Sequence, residues 1–153
     1  MRALTSVKVV LVGLGFTLAA TGCRGKMIAT AELHGAGTAD AHFKSTGGPL
    51  VLWADTDGKW RGGRRSHLPA HYEIDVRASG KHVGHVSCDT QNASTSVCGS
   101  TVAINDLHSG DCEVKLTCAL PTIPAGDATL HVTATLGANA MEVRKMSINV
   151  RDP

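Results

Sequence analysis

The chain has 153 residues, with 15 Lys and Arg against 13 Asp and Glu, a formal net charge of +2. A single domain of this size buries roughly two-thirds of its unfolded surface, but with two Trp, one Tyr and two Phe its core has to be aliphatic. So small a charge excess leaves no electrostatic footprint for nucleic acid, and almost no stretch carries the period of an amphipathic helix.

Arg2 and Lys8 give the N-terminus a basic start, and residues 9–20 (VVLVGLGFTLAA) form an uncharged, mostly apolar run. That run is shorter than the ~20 residues a membrane-spanning helix needs. With the small residues Thr21 and Gly22 behind it, it has the three-part pattern of a secretory signal. Cleavage before Cys23 removes residues 1–22 from the 153 and leaves 131. It also removes Arg2 and Lys8 and no acidic residue, so the remainder holds 13 basic and 13 acidic side chains and has no formal net charge. An exported chain with five cysteines has one too many for pairwise bridging, and Cys23 is the one with another use.

The segment Ala20-Thr21-Gly22-Cys23 resembles the lipobox of bacterial lipoproteins, over the first 23 residues only and with Ala20 where Leu is commonest. The resemblance implies a diacylglyceryl thioether on the Cys23 sulfur, cleavage before it and an acyl chain on its new amine. One acyl chain binds membranes marginally, and two or more anchor stably. Arg24 follows the cysteine where an Asp would signal retention, so by the same resemblance the expected address is the outer membrane of a Gram-negative bacterium. Residues 1–22 are then a signal peptide, 23–27 a lipidated N-terminus with a short tether, and 28–153 one domain. Arg24 and Lys26 can meet anionic head groups, at ~1 kcal/mol each near the surface.

Period-two alternation dominates the rest. Short strands are expected over 27–33, 40–44 and 50–54. Next comes Asp55-Thr56-Asp57-Gly58, which offers two carboxylates and a Gly turn to a calcium ion. Lys59 and Arg61 stand where a calcium loop needs acids, so an Asp-Gly turn between strands is the preferred reading. Trp53, Trp60, Arg61, Arg64 and Arg65 follow around Gly62-Gly63. Indole and guanidinium on a loop suit stacking on sugars and pairing with carboxylate or phosphate, and loops carry function more often than strands do. Asp55, Asp57, Trp60, Arg61, Arg64 and Arg65 are therefore the candidate binding loop, against the plainer reading of a solvated turn with Trp53 packed inside the domain.

Tyr72, Ile74, Val76 and Ala78 alternate with Glu73, Asp75 and Arg77, and Ser79-Gly80-Lys81 turns the chain into a return strand over 82–88. Strands over 97–104, 113–119, 130–136 and 146–150 complete a set of about seven to eight. Short strands between Gly, Pro, Asn and Asp clusters indicate an all-β fold, a single antiparallel β-sandwich. The segment Pro121 to Gly126 and the strands after it resemble the end of immunoglobulin-like modules, over about thirty residues; a jelly-roll or C2-like sandwich is equally compatible.

Cys88, Cys98, Cys112 and Cys118 lack the C-x2-C spacing of zinc or redox sites, and in an oxidising compartment they are expected to form two disulfides. If 112–118 stays extended, its ends lie about 20 Å apart at ~3.3 Å per residue, beyond the ~7 Å reach of a bridge. That disfavours 112–118 and its companion 88–98. The nested pairs Cys88–Cys118 and Cys98–Cys112 are preferred, with 88–112 and 98–118 next. Eight histidines are scattered. His82 and His85 fall on opposite faces of one regular strand, so a metal site could assemble only through the fold; exposed histidines would make binding sensitive to pH.

The chain shows no G-x-S-x-G, H-E-x-x-H or phosphate-cradling Gly loop. The expectation is a non-enzymatic cell-envelope lipoprotein without cofactor or metal. It would be held to the membrane by its N-terminal lipid and serve an envelope protein or glycan as a binding or accessory component. The alternative is a periplasm-facing protein that sequesters a metal or ligand with its histidines.

Overall fold

The computed structural model describes residues 24–64 and 66–153; the signal segment, Cys23 and Arg65 lie outside the described residues. Nine strands are described: β1 Lys26–Leu33, β2 Gly37–Ser45, β3 Val51–Arg61, β4 Ala70–Ala78, β5 Lys81–Asp89, β6 Thr95–Ile104, β7 Leu107–Lys115, β8 Gly126–Leu136 and β9 Ala140–Asp152. A short 3-10 turn, Thr90–Asn92, follows β5. The strands form a five-stranded sheet, β1-β9-β3-β7-β6, and a four-stranded sheet, β2-β8-β4-β5. Every pairing is antiparallel.

The connectivity follows from nested pairs. β4 joins β5 through the Ser79-Gly80 turn, and outward from that tip β3 pairs β7, β2 pairs β8 and β1 pairs β9. The chain is one long hairpin rolled so that successive nested pairs alternate between the sheets, which is the winding of a jelly roll. It is not the immunoglobulin-like order that the 121–126 segment resembles. β6 is an addition that hairpins onto β7 at the edge of the larger sheet. Because β1 and β9 pair, Lys26 lies opposite Asp152 and the two ends of the domain meet.

Alternation explains which side chains fill the space between the sheets. Tyr72, Ile74, Val76, Leu130 and Val132 from one sheet meet Leu52, Ala54, Val114, Ile148 and Val150 from the other, all buried. Each fully buried aliphatic side chain contributes roughly 1.5–3 kcal/mol, which is how a chain with so few aromatics keeps a core.

Two of the expectations that the structure corrects concern β3 and β7. The segment Asp55 to Gly58 is neither a calcium loop nor a turn. It lies in the middle of β3, with Asp55 opposite Glu113 and Ser147, and Gly58 opposite Gly110 and Val143. Gly58 serves close approach. A Cβ there would stand 2.2 Å from the Glu142 carbonyl oxygen and 3.2 Å from Leu68 Cδ1, at a register shift between β3 and β9. The second correction is β7, which runs Leu107–Lys115, so Cys118 lies beyond its end and not on it. The disulfides join Cys88 to Cys118 and Cys98 to Cys112, with Cα separations of 5.4 and 4.0 Å.

Candidate functional site

The six residues of the candidate loop do not come together. Asp55 and Asp57 point outward from β3, where the Lys145 ammonium lies 2.6 Å from Asp55 and Arg144 donates to Asp57 through Nη2 at 2.6 Å. Those contacts, Arg144 foremost, hold the Asp57 carboxyl below its usual range. Trp60 points inward and is buried. Arg61 closes the strand and pairs with Asp106 across the β6–β7 turn at 3.1 Å. Arg64 is exposed on the segment leading to β4, and Arg65 lies outside the described residues. An inward residue and two outward carboxylates on one strand cannot share a surface, since side chains alternate.

Trp60 and Arg64 nonetheless border one cleft of about 500 Å³, between Ser66 and His67, the turn after β5 and the β6–β7 hairpin. The Trp60 indole stacks on His108 with ring centroids 5.5 Å apart and planes within 10°, and its Nε1 donates to Ser66 Oγ at 3.0 Å. His67 Nδ1 is buried there without a hydrogen-bond partner among the described residues, and burial lowers its pKa, which favours the uncharged ring. His67 also sits with its ligand atom within 4.8 Å of the sulfurs of Cys98 and Cys112. Those sulfurs are bonded to each other and offer no thiolate to a metal.

A second hollow, about 530 Å³, lies on the outer face of the five-stranded sheet. Its floor is polar. Thr30 Oγ1 donates to Asn149 Oδ1 at 2.9 Å, and Glu113 takes Arg24 Nη1 on one oxygen and Arg151 Nη2 on the other, each at 2.5 Å. Trp53, expected between the sheets, faces outward beneath this floor. Its β3 neighbours Leu52 and Ala54 belong to the core cluster and it does not, while the Arg151 guanidinium lies 5.8 Å over its ring.

The third assembly could not be read from the sequence. His42, His71, His82, His85 and His131, far apart in the chain, all carry side chains on the outer face of the four-stranded sheet, among acids. His131 Nδ1 meets Asp40 Oδ1 at 2.6 Å, and His42 Nδ1 meets Thr129 Oγ1 at 3.0 Å. Along the β4–β5 hairpin the contacts form a ladder. His71 Nδ1 faces Asp89 at 3.1 Å and its Nε2 faces Glu73 at 2.5 Å. His85 Nε2 bonds the other Glu73 oxygen, and its Nδ1 meets Asp75 at 2.9 Å. His82 and His85 share this face, contrary to the alternation expected of a regular strand, because a register shift opposite Val76 and Arg77 inserts an extra residue into β5. Both approach Asp75, His82 Nε2 at 3.8 Å.

These contacts shift protonation in a consistent direction. Glu73 is held at about 2 by hydrogen bonds from His71 and His85. Asp75 is lowered, first by His85. His71 is raised, first by Glu73, and His85 is raised, first by Asp75 and then by Glu73. A lowered carboxylate contributes stability above its unfolded value of 4.5 and loses it as pH falls toward 2. A raised histidine contributes below its unfolded value of 6.5 and loses the contribution as pH rises through its folded value. The destabilisation caused by Glu73→Gln should therefore peak between pH 4.5 and 6.5 and shrink on both sides. Urea unfolding across pH checks this, and a difference that stays constant from acid to alkaline pH would contradict it.

No protein-family model and no curated protein sequence matches this chain.

Proposed function

We propose that this protein is a non-enzymatic lipoprotein of the bacterial cell envelope, anchored by lipid on Cys23 to the outer membrane, and that its sandwich serves an envelope protein or glycan as a binding or accessory component. The observation that supports it best is how little chain separates Cys23 from the first strand. β1 begins at Lys26, inside the expected tether, and Arg24 is already held by Glu113. Only Arg24 and Gly25 intervene. A lipid on Cys23 would thus hold the larger sheet's end of the domain at the head groups, with the polar hollow that starts at Arg24 beside the bilayer and the histidine face on the opposite sheet.

The 500 Å³ cleft is the preferred contact surface for the partner. It combines the Trp60 indole, the half-buried His67 imidazole and the exposed Arg64, an aromatic lining with a few placed polar groups of the kind that ligand sites use.

Detergent-phase partitioning tests the anchor. The native protein should enter the detergent phase and Cys23→Ala should remain aqueous while keeping its fold. A Cys23→Ala protein that still partitions into detergent would sink the lipoprotein reading. For the cleft, pull-down from envelope fractions with Arg64→Ala should lose or weaken the partner, and an unchanged partner set removes this surface from the proposal.

A further inference from the structure

The ladder on the β4–β5 hairpin has the donor layout of a transition-metal centre. A ligating imidazole coordinates through one nitrogen while its other N–H donates to a carboxylate, which fixes the tautomer and aims the ring. His71 gives Nδ1 to Asp89 at 3.1 Å and His85 gives Nδ1 to Asp75 at 2.9 Å. Both rings are therefore oriented with Nε2 left over, and both Nε2 atoms converge on Glu73, one on each oxygen. Ser87 Oγ stands beside them, 3.1 Å from Glu73 Oε1 and 3.3 Å from His71 Nε2.

We propose that His71, Glu73 and His85 form a binding site for one divalent transition-metal ion, Zn²⁺ or Cu²⁺. Two imidazole nitrogens and a carboxylate oxygen are a three-ligand set that leaves a further position open to water or to a donor from a partner. Nitrogen-rich ligation of this kind does not suit Ca²⁺ or Mg²⁺, which take oxygens. The sheet supplies the rigidity. His71 is opposite Asp89, Glu73 opposite Ser87 and Asp75 opposite His85 in one antiparallel register, so ligands and their orienting carboxylates sit on paired strands. The rings now rest on separate oxygens of Glu73, too far apart to share one ion as they stand, so an ion would enter by displacing those hydrogen bonds and drawing the exposed side chains of His71, Glu73 and His85 together. The inference is independent of the lipid anchor and of the cleft, which lie elsewhere on the molecule.

Calorimetric titration of the purified protein with Zn²⁺ and with Cu²⁺, in a non-chelating buffer near neutral pH, tests it. One ion should bind per chain. His71→Ala and His85→Ala should each weaken binding about 100-fold or more, and Asp89→Asn and Asp75→Asn about 10- to 100-fold through lost orientation. His131→Ala, on the same face but paired with Asp40, should leave the affinity unchanged. Cu²⁺ paramagnetic resonance should show coupling to two nitrogens in the native protein and to one in each single histidine variant. All these side chains are exposed, and a cooperative thermal melt without metal establishes that each variant is folded. The proposal is overturned if the native protein binds neither ion stoichiometrically. It is equally overturned if the His71→Ala, His85→Ala double variant binds as tightly as the native protein, or if His131→Ala costs as much as His71→Ala.

Discussion

Replacing Cys88 and Cys118 together by alanine should lower the unfolding free energy by about 3–4 kcal/mol, the largest single loss expected at any surface-reaching feature of the molecule. The bridge closes a loop of 30 residues, and in the chain-entropy description that removes roughly 3.6 kcal/mol of freedom from the unfolded state. The structure gives the bridge a second role. Residues 116–125 between β7 and β8 have no regular secondary structure, so few ladder hydrogen bonds hold them. Cys118 ties this segment to the buried end of β5, where Cys88 is 4% exposed and belongs to the core cluster. The Cys98–Cys112 bridge closes only 14 residues, roughly 3 kcal/mol on the same scale, and joins residues already paired in the β6–β7 ladder. Urea unfolding of the two double variants should rank them in that order. A greater loss for the 98–112 variant would mean that the irregular segment does not depend on its bridge.

The strands that were legible in the sequence are those whose environment is simple. β4 and β8 alternate cleanly because one face meets the core and the other is more open to water, and the later part of β9 alternates because its outward Ser147 and Asn149, though buried, are polar; the apolar sets, such as Ile74, Leu130 and Ile148, are those found buried. β3 was not legible past Ala54 because its outward carboxylates look like turn residues until their partners are known. Those partners, Arg144 and Lys145, lie 87 and 90 residues away and meet Asp57 and Asp55 only because β9 pairs with β3. Trp53 misleads in the same way. Indole is usually assigned to a core, and here it is covered from outside by Arg151. The histidine ladder depends on two facts no local pattern carries: the rolled order β2-β8-β4-β5, and one extra residue in β5 that brings His82 and His85 to the same face. The lipobox reading concerns residues outside those the structure describes, so its support stays with the sequence and with the short path from Cys23 to β1.

Glu113→Gln should cost about 3 kcal/mol, the magnitude typical of removing one partner from a buried ion pair. The loss comes from the charges left behind. Arg151 is 14% exposed and Glu113 12%, and among the described residues the Arg151 guanidinium has, besides Glu113, a single long polar contact to the Gly25 carbonyl, 3.4 Å. Its Nε is buried without a partner. A neutral amide still accepts one hydrogen bond, but it no longer neutralises a cation confined between Trp53 and the strand end. Arg24, 40% exposed, can turn to water and contributes little of the cost. A double-mutant cycle separates these terms. Arg151→Met keeps the packing over Trp53 and removes the cation, so Glu113→Gln in that background should cost well under 1 kcal/mol, because replacing a buried pair by apolar or neutral groups is often close to neutral. If the two substitutions are additive instead, Glu113 does not act through Arg151. The same residue has a functional readout through Arg24. Glu113 holds Arg24, the residue that follows Cys23, so Glu113→Gln should speed backbone amide exchange at Gly25, Lys26 and Met27 while leaving β4 and β8 protected. A lipid on Cys23 would then hold the sandwich by a longer, looser tether, and the orientation of the hollow toward the membrane would depend on this one carboxylate.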